Sequence, residues 1–182
     1  MKSREFDPLR LDVAAFAKDG ETLDGTWPLE SLERLATSVL PGSAATSPPV
    51  VWRLTGELRT AKGSEPQVWL HASAHTEVAL ECQRCLKPMT EAIEAERSFL
   101  FVHGEDTAAD LDSDSEDDVL ALTRALDARE LVEDELLLAL PIVPRHDVCP
   151  DPLKVAEDDL PEDDKPNPFA KLAALKRGGL PN

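Results

Sequence analysis

Two cysteines separated by two residues, Cys82 and Cys85 in ECQRCLKP, are the side chains whose type and spacing point most directly to chemistry. That gap lets both thiolates reach one zinc ion, and a closed structural site normally takes four ligands. The stretch RHDVC offers the other half, with His146 and Cys149 three residues apart after Pro144. Cys82, Cys85, His146 and Cys149 together would surround zinc with soft sulfur and imidazole donors. The alternative is no cofactor at all, with Cys82 completing the inward face of a strand and Cys85 packed under a turn. A third reading is a thiol–disulfide enzyme, which asks for a strongly acidified and alkylation-prone cysteine, usually at a helix start. Here the pair ends a strand-like run and precedes Pro88, with no βαβ pattern around it.

Little else could react. His71 and His75 share one strand face, but four residues of strand separate them by roughly 13 Å, too far for one metal. Neither a glycine-rich phosphate loop, an HExxH helix, a nucleophile elbow nor a usable carboxylate pair occurs, so no enzyme activity is expected. Arg84 and Lys87, joined by Arg53 and Arg59, are the candidates for a small basic patch at one end of a sheet, contacting RNA or a partner.

Charge limits the partners. The formal net charge is −17, and residues 103–164 account for all of it, with 21 acidic against four basic side chains. The remaining residues hold 15 of each sign. Such a field repels phosphate backbones and favours basic partners, of which ribosomal proteins are one class. The opening MKSREFDPLRLDV is charged where a signal peptide would be apolar, and no apolar run approaches bilayer length. With three cysteines, an odd number, this points to a reducing cytoplasmic setting and no membrane contact.

The elements that must hold these residues read as α+β. After an irregular N-terminal stretch, Pro28 suits a first helical turn, and Leu29, Leu32, Leu35 and Val39 form a stripe, giving a helix over 28–39. Alternation then predicts strands near 50–58, 67–82 and 89–102, each with one wet face. Arg97 interrupts the inward face of the last. Asp127 and Glu130 form a capping box that opens a helix over 128–140. The expected architecture is an antiparallel sheet, open to curling toward a half-barrel, with these two helices on its apolar face. The run 104–118 is too charged to collapse and reads as a mobile acidic loop. Residues 1–143 are expected to form a single α+β domain, and 144–182 a Pro/Asp-rich tail. That tail ends in a tethered amphipathic helix at 167–177, where Asn167 caps and Phe169 and Leu172 share a face that could anchor a partner.

Three ordered motifs, ECQRCLKP, LVEDELLLALPIVPRH followed by a cysteine, and KPNPFAKLAALK, resemble the large ribosomal RNA subunit accumulation protein family, the YceD-like proteins of bacteria and plastids. The likeness extends to the opening DVAAFAKDGETLDGTWPLESLERLA and so covers nearly the whole chain. It implies a cytoplasmic, non-catalytic factor supporting accumulation or processing of precursor 23S rRNA and large-subunit assembly. Its partner would be that RNA or an assembly intermediate, reached directly or through a basic ribosomal protein. The alternative is a zinc-stapled nucleic-acid-binding module. The positions the resemblance carries over are Cys82, Arg84, Cys85, Glu133, Glu135, Pro141, Pro144, Asn167, Pro168 and Phe169, without assigning their roles. Some similar proteins are richer in cysteine toward the C-terminus; this chain keeps only Cys149 there.

Overall fold

The computed structural model describes residues 5–60, 65–115 and 117–150, all within the first of two units of the chain, Met1–Asp151. The expected tail helix at 167–177, with Asn167, Phe169 and Leu172, lies outside the described residues.

A five-stranded sheet organises this unit, in the order β1 (Thr22–Trp27), β2 (Val50–Arg59), β3 (Gln67–Glu81), β4 (Pro88–Val102), β5 (Asp118–Ala121). The three long strands follow the alternation in the sequence, since only one face is buried and the period-two pattern therefore fixes the register. Leu54 faces Ala72, and Ala72 faces Arg97 across the ladder. Leu70, Ala74, Val78, Leu80, Ile93, Phe99 and Phe101 form the inward floor of the core.

Two features correct the expected sheet. It is open rather than curled: β1 pairs only with β2 and β5 only with β4. It is also mixed, because β5 runs parallel to β4, from Phe99 opposite Asp118 to Val102 opposite Ala121. A parallel neighbour needs a crossover rather than a hairpin. The crossover is the stretch expected to be a mobile loop, in which Glu105–Asp114 is a ten-residue helix, α3. Glu105 and Asp106 sit in its first turn, where the helix dipole favours negative charge. Ala108 is buried, and the Asp112 carboxylate accepts the Val119 N–H at 3.0 Å, fastening helix to strand. Trp69, Ala108 and Val119 are buried outside the main core, on the otherwise wet face of the sheet. A few apolar contacts under one helix thus suffice to order an acidic segment.

The main core lies on the opposite face, beneath three helices rather than two. The N-terminal stretch that reads as irregular contains α1 (Val13–Asp19), capped by the Asp12 carboxylate on the Ala15 N–H and closed by Gly20 in the left-handed region. It lies directly on β2, where a Cβ on Gly56 would stand 2.8 Å from Ala17 backbone atoms. The helix expected at 28–39 is broken: a 3-10 turn at Leu29–Ser31 precedes α2 (Glu33–Ser38), with non-helical Leu32 between them. α4 (Ala128–Leu138) starts where expected, with Asp127 accepting from the Arg129 and Glu130 amides. No described helix is long and apolar enough to cross a membrane.

Ion pairs from Arg34 and Arg97 join α4 to the rest. Glu133, only 7% exposed, accepts the Arg34 and Leu35 amides at 2.7 and 3.0 Å and so caps the start of α2. Arg34 adds side-chain bonds to Glu133 and Asp134. Arg97, the interruption in β4, points inward because Glu135 of α4 receives its Nε at 3.1 Å. Both Glu133 and Glu135 thereby gain structural roles.

Candidate metal centre

The cluster is built by one turn and one arm. At the end of β3 the chain reverses over residues 82–87, with the Cys82 N–H donating to the Lys87 carbonyl and the Leu86 N–H to the Cys82 carbonyl. The reversal requires a left-handed residue, and here Leu86 supplies it, at φ 56°. The arm leaves α4 through Pro141 and returns to the turn, where the Gln83 N–H donates to the Pro144 carbonyl at 2.8 Å. This bond brings His146 and Cys149 beside the two turn cysteines.

All four ligand atoms lie within 4.8 Å of one another. The Sγ atoms of Cys82 and Cys149 are 3.9 Å apart, and Cys85 Sγ lies 3.4 Å from His146 Nδ1. A tetrahedral zinc with Zn–S near 2.3 Å and Zn–N near 2.05 Å has edges of about 3.8 Å and about 3.6 Å respectively. Both separations therefore suit one ion. The imidazole is oriented for the task, because its Nε2–H donates to the Pro88 carbonyl at 3.2 Å and leaves Nδ1 as the free donor atom. Three soft thiols and one imidazole form a set that selects zinc over hard cations such as magnesium or calcium.

Electrostatics agree. Burial pushes the Cys82 thiol up, but backbone N–H groups of His146, Arg84 and Cys85 converge on its sulfur, and the balance lowers its pKa from 9.0 to about 5. For Cys85, burial prevails and the pKa is raised. An acidified Cys82 meets one demand of the thiol-enzyme reading. The other is not met, because Cys82 has 0% exposure. A buried thiolate held by amide donors suits a ligand better than a nucleophile.

The residues proposed as a basic patch do not gather. Arg59 stands opposite Gln67 at the far end of β3, 15 residues of strand from Cys82, or roughly 50 Å. It lies 4.3 Å from the Trp69 ring centre and pairs with Glu57. Arg53 lies midway along β2, opposite Asp24 and Ser73. Lys87 remains in the turn. Arg84 is turned toward the cluster, its Nε donating to Cys149 Sγ at 3.0 Å. His71 hydrogen-bonds Glu57 and Ser98, and His75 faces Glu94, so neither reaches the cysteines. The amide donors and the Pro88 carbonyl were invisible to spacing arguments, since backbone groups leave no mark in a sequence.

A family model described as "Large ribosomal RNA subunit accumulation protein YceD" matches residues 70–176, a span that contains all four cluster residues. The large ribosomal RNA subunit accumulation protein YceD of Haemophilus influenzae is 33% identical over 177 residues, covering 93% of this chain and 96% of that protein. No solved structure matches.

Proposed function

Because the chain belongs to the large ribosomal RNA subunit accumulation protein family, we propose that it is a non-catalytic factor supporting accumulation of precursor 23S rRNA during large-subunit assembly in the cytoplasm. The observation that carries this reading is the match across nearly the full length of both chains. The factor works through protein contacts more than through a broad grip on RNA. A net charge of −17 opposes a phosphate track, and Arg34, Arg84 and Arg97 are engaged in internal pairs. The acidic helix α3 presents Glu105, Asp106 and Asp110 to solvent, a surface that suits a lysine- or arginine-rich ribosomal protein. Crosslinking in cells, followed by identification of bound protein and bound RNA, tests the choice. Recovery of large-subunit proteins supports it; tight, steeply salt-dependent binding of purified protein to bare precursor rRNA overturns it.

The same protein carries a structural zinc ion on Cys82, Cys85, His146 and Cys149. When bound, the ion ties the arm after α4 to the β3–β4 turn; it supplies no reaction chemistry, because four protein ligands close its shell. Protein purified without added metal is expected to contain about one equivalent of zinc, lost in Cys82→Ser. Metal-free protein that remains fully folded would remove the staple and leave the assembly role standing.

A further inference from the structure

Arg84 lies between the two cysteines of the turn, yet its side chain works on the other half of the cluster. Its Nε donates to Cys149 Sγ at 3.0 Å, and its Nη2 donates to the carbonyls of His146 at 2.6 Å and Asp147 at 3.3 Å. One planar fork thus holds a ligand sulfur and two consecutive carbonyls of the arm. Lysine, a point charge on a flexible stem, cannot reproduce three such bonds at once.

We infer that Arg84 is the positioning residue of the metal centre, fastening the 146–149 arm so that Cys149 and His146 stand ready beside Cys82 and Cys85. This inference rests on the zinc reading above. Two properties of the site require such a residue. The ligands come from segments more than 60 residues apart, joined otherwise by few bonds: Gln83 to Pro144, His146 N–H to Cys82 sulfur, and His146 to Pro88. Three thiolates around a divalent ion also leave a net charge of about −1, which an adjacent guanidinium offsets. Arg84 meets both needs. Its side-chain bonds to Cys149, His146 and Asp147 therefore all run to the arm rather than to a neighbouring basic patch.

The test compares wild type with Arg84→Gln and Arg84→Lys as full-length protein. Zinc affinity, measured by chelator competition, should fall roughly 10- to 100-fold in Arg84→Gln, as for other residues that orient metal ligands. Arg84→Lys should fall between, since it keeps the charge and loses the fork. With cobalt as probe, the thiolate-to-metal absorption per bound cobalt should weaken in Arg84→Gln as Cys149 leaves the shell, a change that a general loss of stability would not give. In metal-free protein, tryptic cleavage after Arg145 should quicken several-fold in both variants as the arm loosens. Equal affinity and equal cleavage in all three proteins overturn the inference. Wild-type protein that takes up no zinc overturns the metal reading, while the cleavage comparison still decides whether Arg84 fastens the arm.

Discussion

Replacing Glu133 by alanine should destabilise the protein more than its place on a surface helix suggests. One carboxylate oxygen accepts the Arg34 and Leu35 amides, and the other accepts Nε and Nη2 of Arg34. The amide half acts as a helix cap supplied from 98 residues away, and loss of a cap typically costs about 1–2 kcal/mol. The ion-pair half is discounted, because the Arg34 side chain is 48% exposed, and contributes roughly 0.2–1 kcal/mol. The sum is about 2 kcal/mol. With a urea dependence of about 2 kcal/mol per molar, the unfolding midpoint should fall by about 1 M. Arg34→Ala leaves the amide cap in place and removes the half-exposed guanidinium's bonds to Glu133 and Asp134, and should cost no more than about 1 kcal/mol. Urea unfolding of both variants at neutral pH and fixed zinc content makes the comparison. If Glu133→Ala proved no more costly than Arg34→Ala, the capping argument would be refuted.

Gly56→Ala should cost about 2 kcal/mol or more and shift α1, because the added carbon would meet Ala17 backbone at 2.8 Å and neither strand nor helix can yield freely; thermal melts read the loss. Leu86→Gly should stabilise by roughly 0.5–1 kcal/mol, since the left-handed conformation strains leucine and a 66% exposed side chain gives up little packing. A destabilised glycine variant would mean that the exposed leucine makes contacts of its own. The metal-free protein should show a pH dependence set by Cys82, whose pKa is lowered from 9.0 to about 5 on folding. The folded state favours the thiolate, so that contribution is complete above about pH 9 and lost as pH falls through about 5. Denaturant unfolding of metal-free protein across that range should show stability rising with pH, and the slope should flatten in Cys82→Ser.

How much was legible follows from where the information lies. The long strands were readable because a half-buried antiparallel strand repeats every two residues, and β2 to β4 do so almost without fault. Arg97 was the one fault, and it marked a real contact with Glu135. The strand β1 escaped because TLDGTW is short and carries an Asp-Gly pair that signals a turn, although Leu23 and Trp27 keep the period. The helix α1 could have been found from Asp12 and Gly20, a matched cap and stop around seven residues. The helix α3 was hidden by its charge, since burial of Ala108 depends on a sheet face that local sequence cannot announce. The run VLALT at 119–123 does read as a short strand, and β5 matches it; only its parallel direction was lost with α3. All four members of the cluster were legible by residue type; their convergence was not, because it depends on where α4 delivers the arm.

The two halves of the cluster are also separated in time. A ribosome makes the chain from its N-terminus, so Cys82 and Cys85 emerge well before His146 and Cys149 have been polymerised. Strands β4 and β5 and helices α3 and α4 all lie in that interval. Nascent protein halted anywhere before the arm holds half a binding set, open to oxidation and to stray metals. An ion held by all four side chains would therefore be captured only after α4 has docked and delivered the arm.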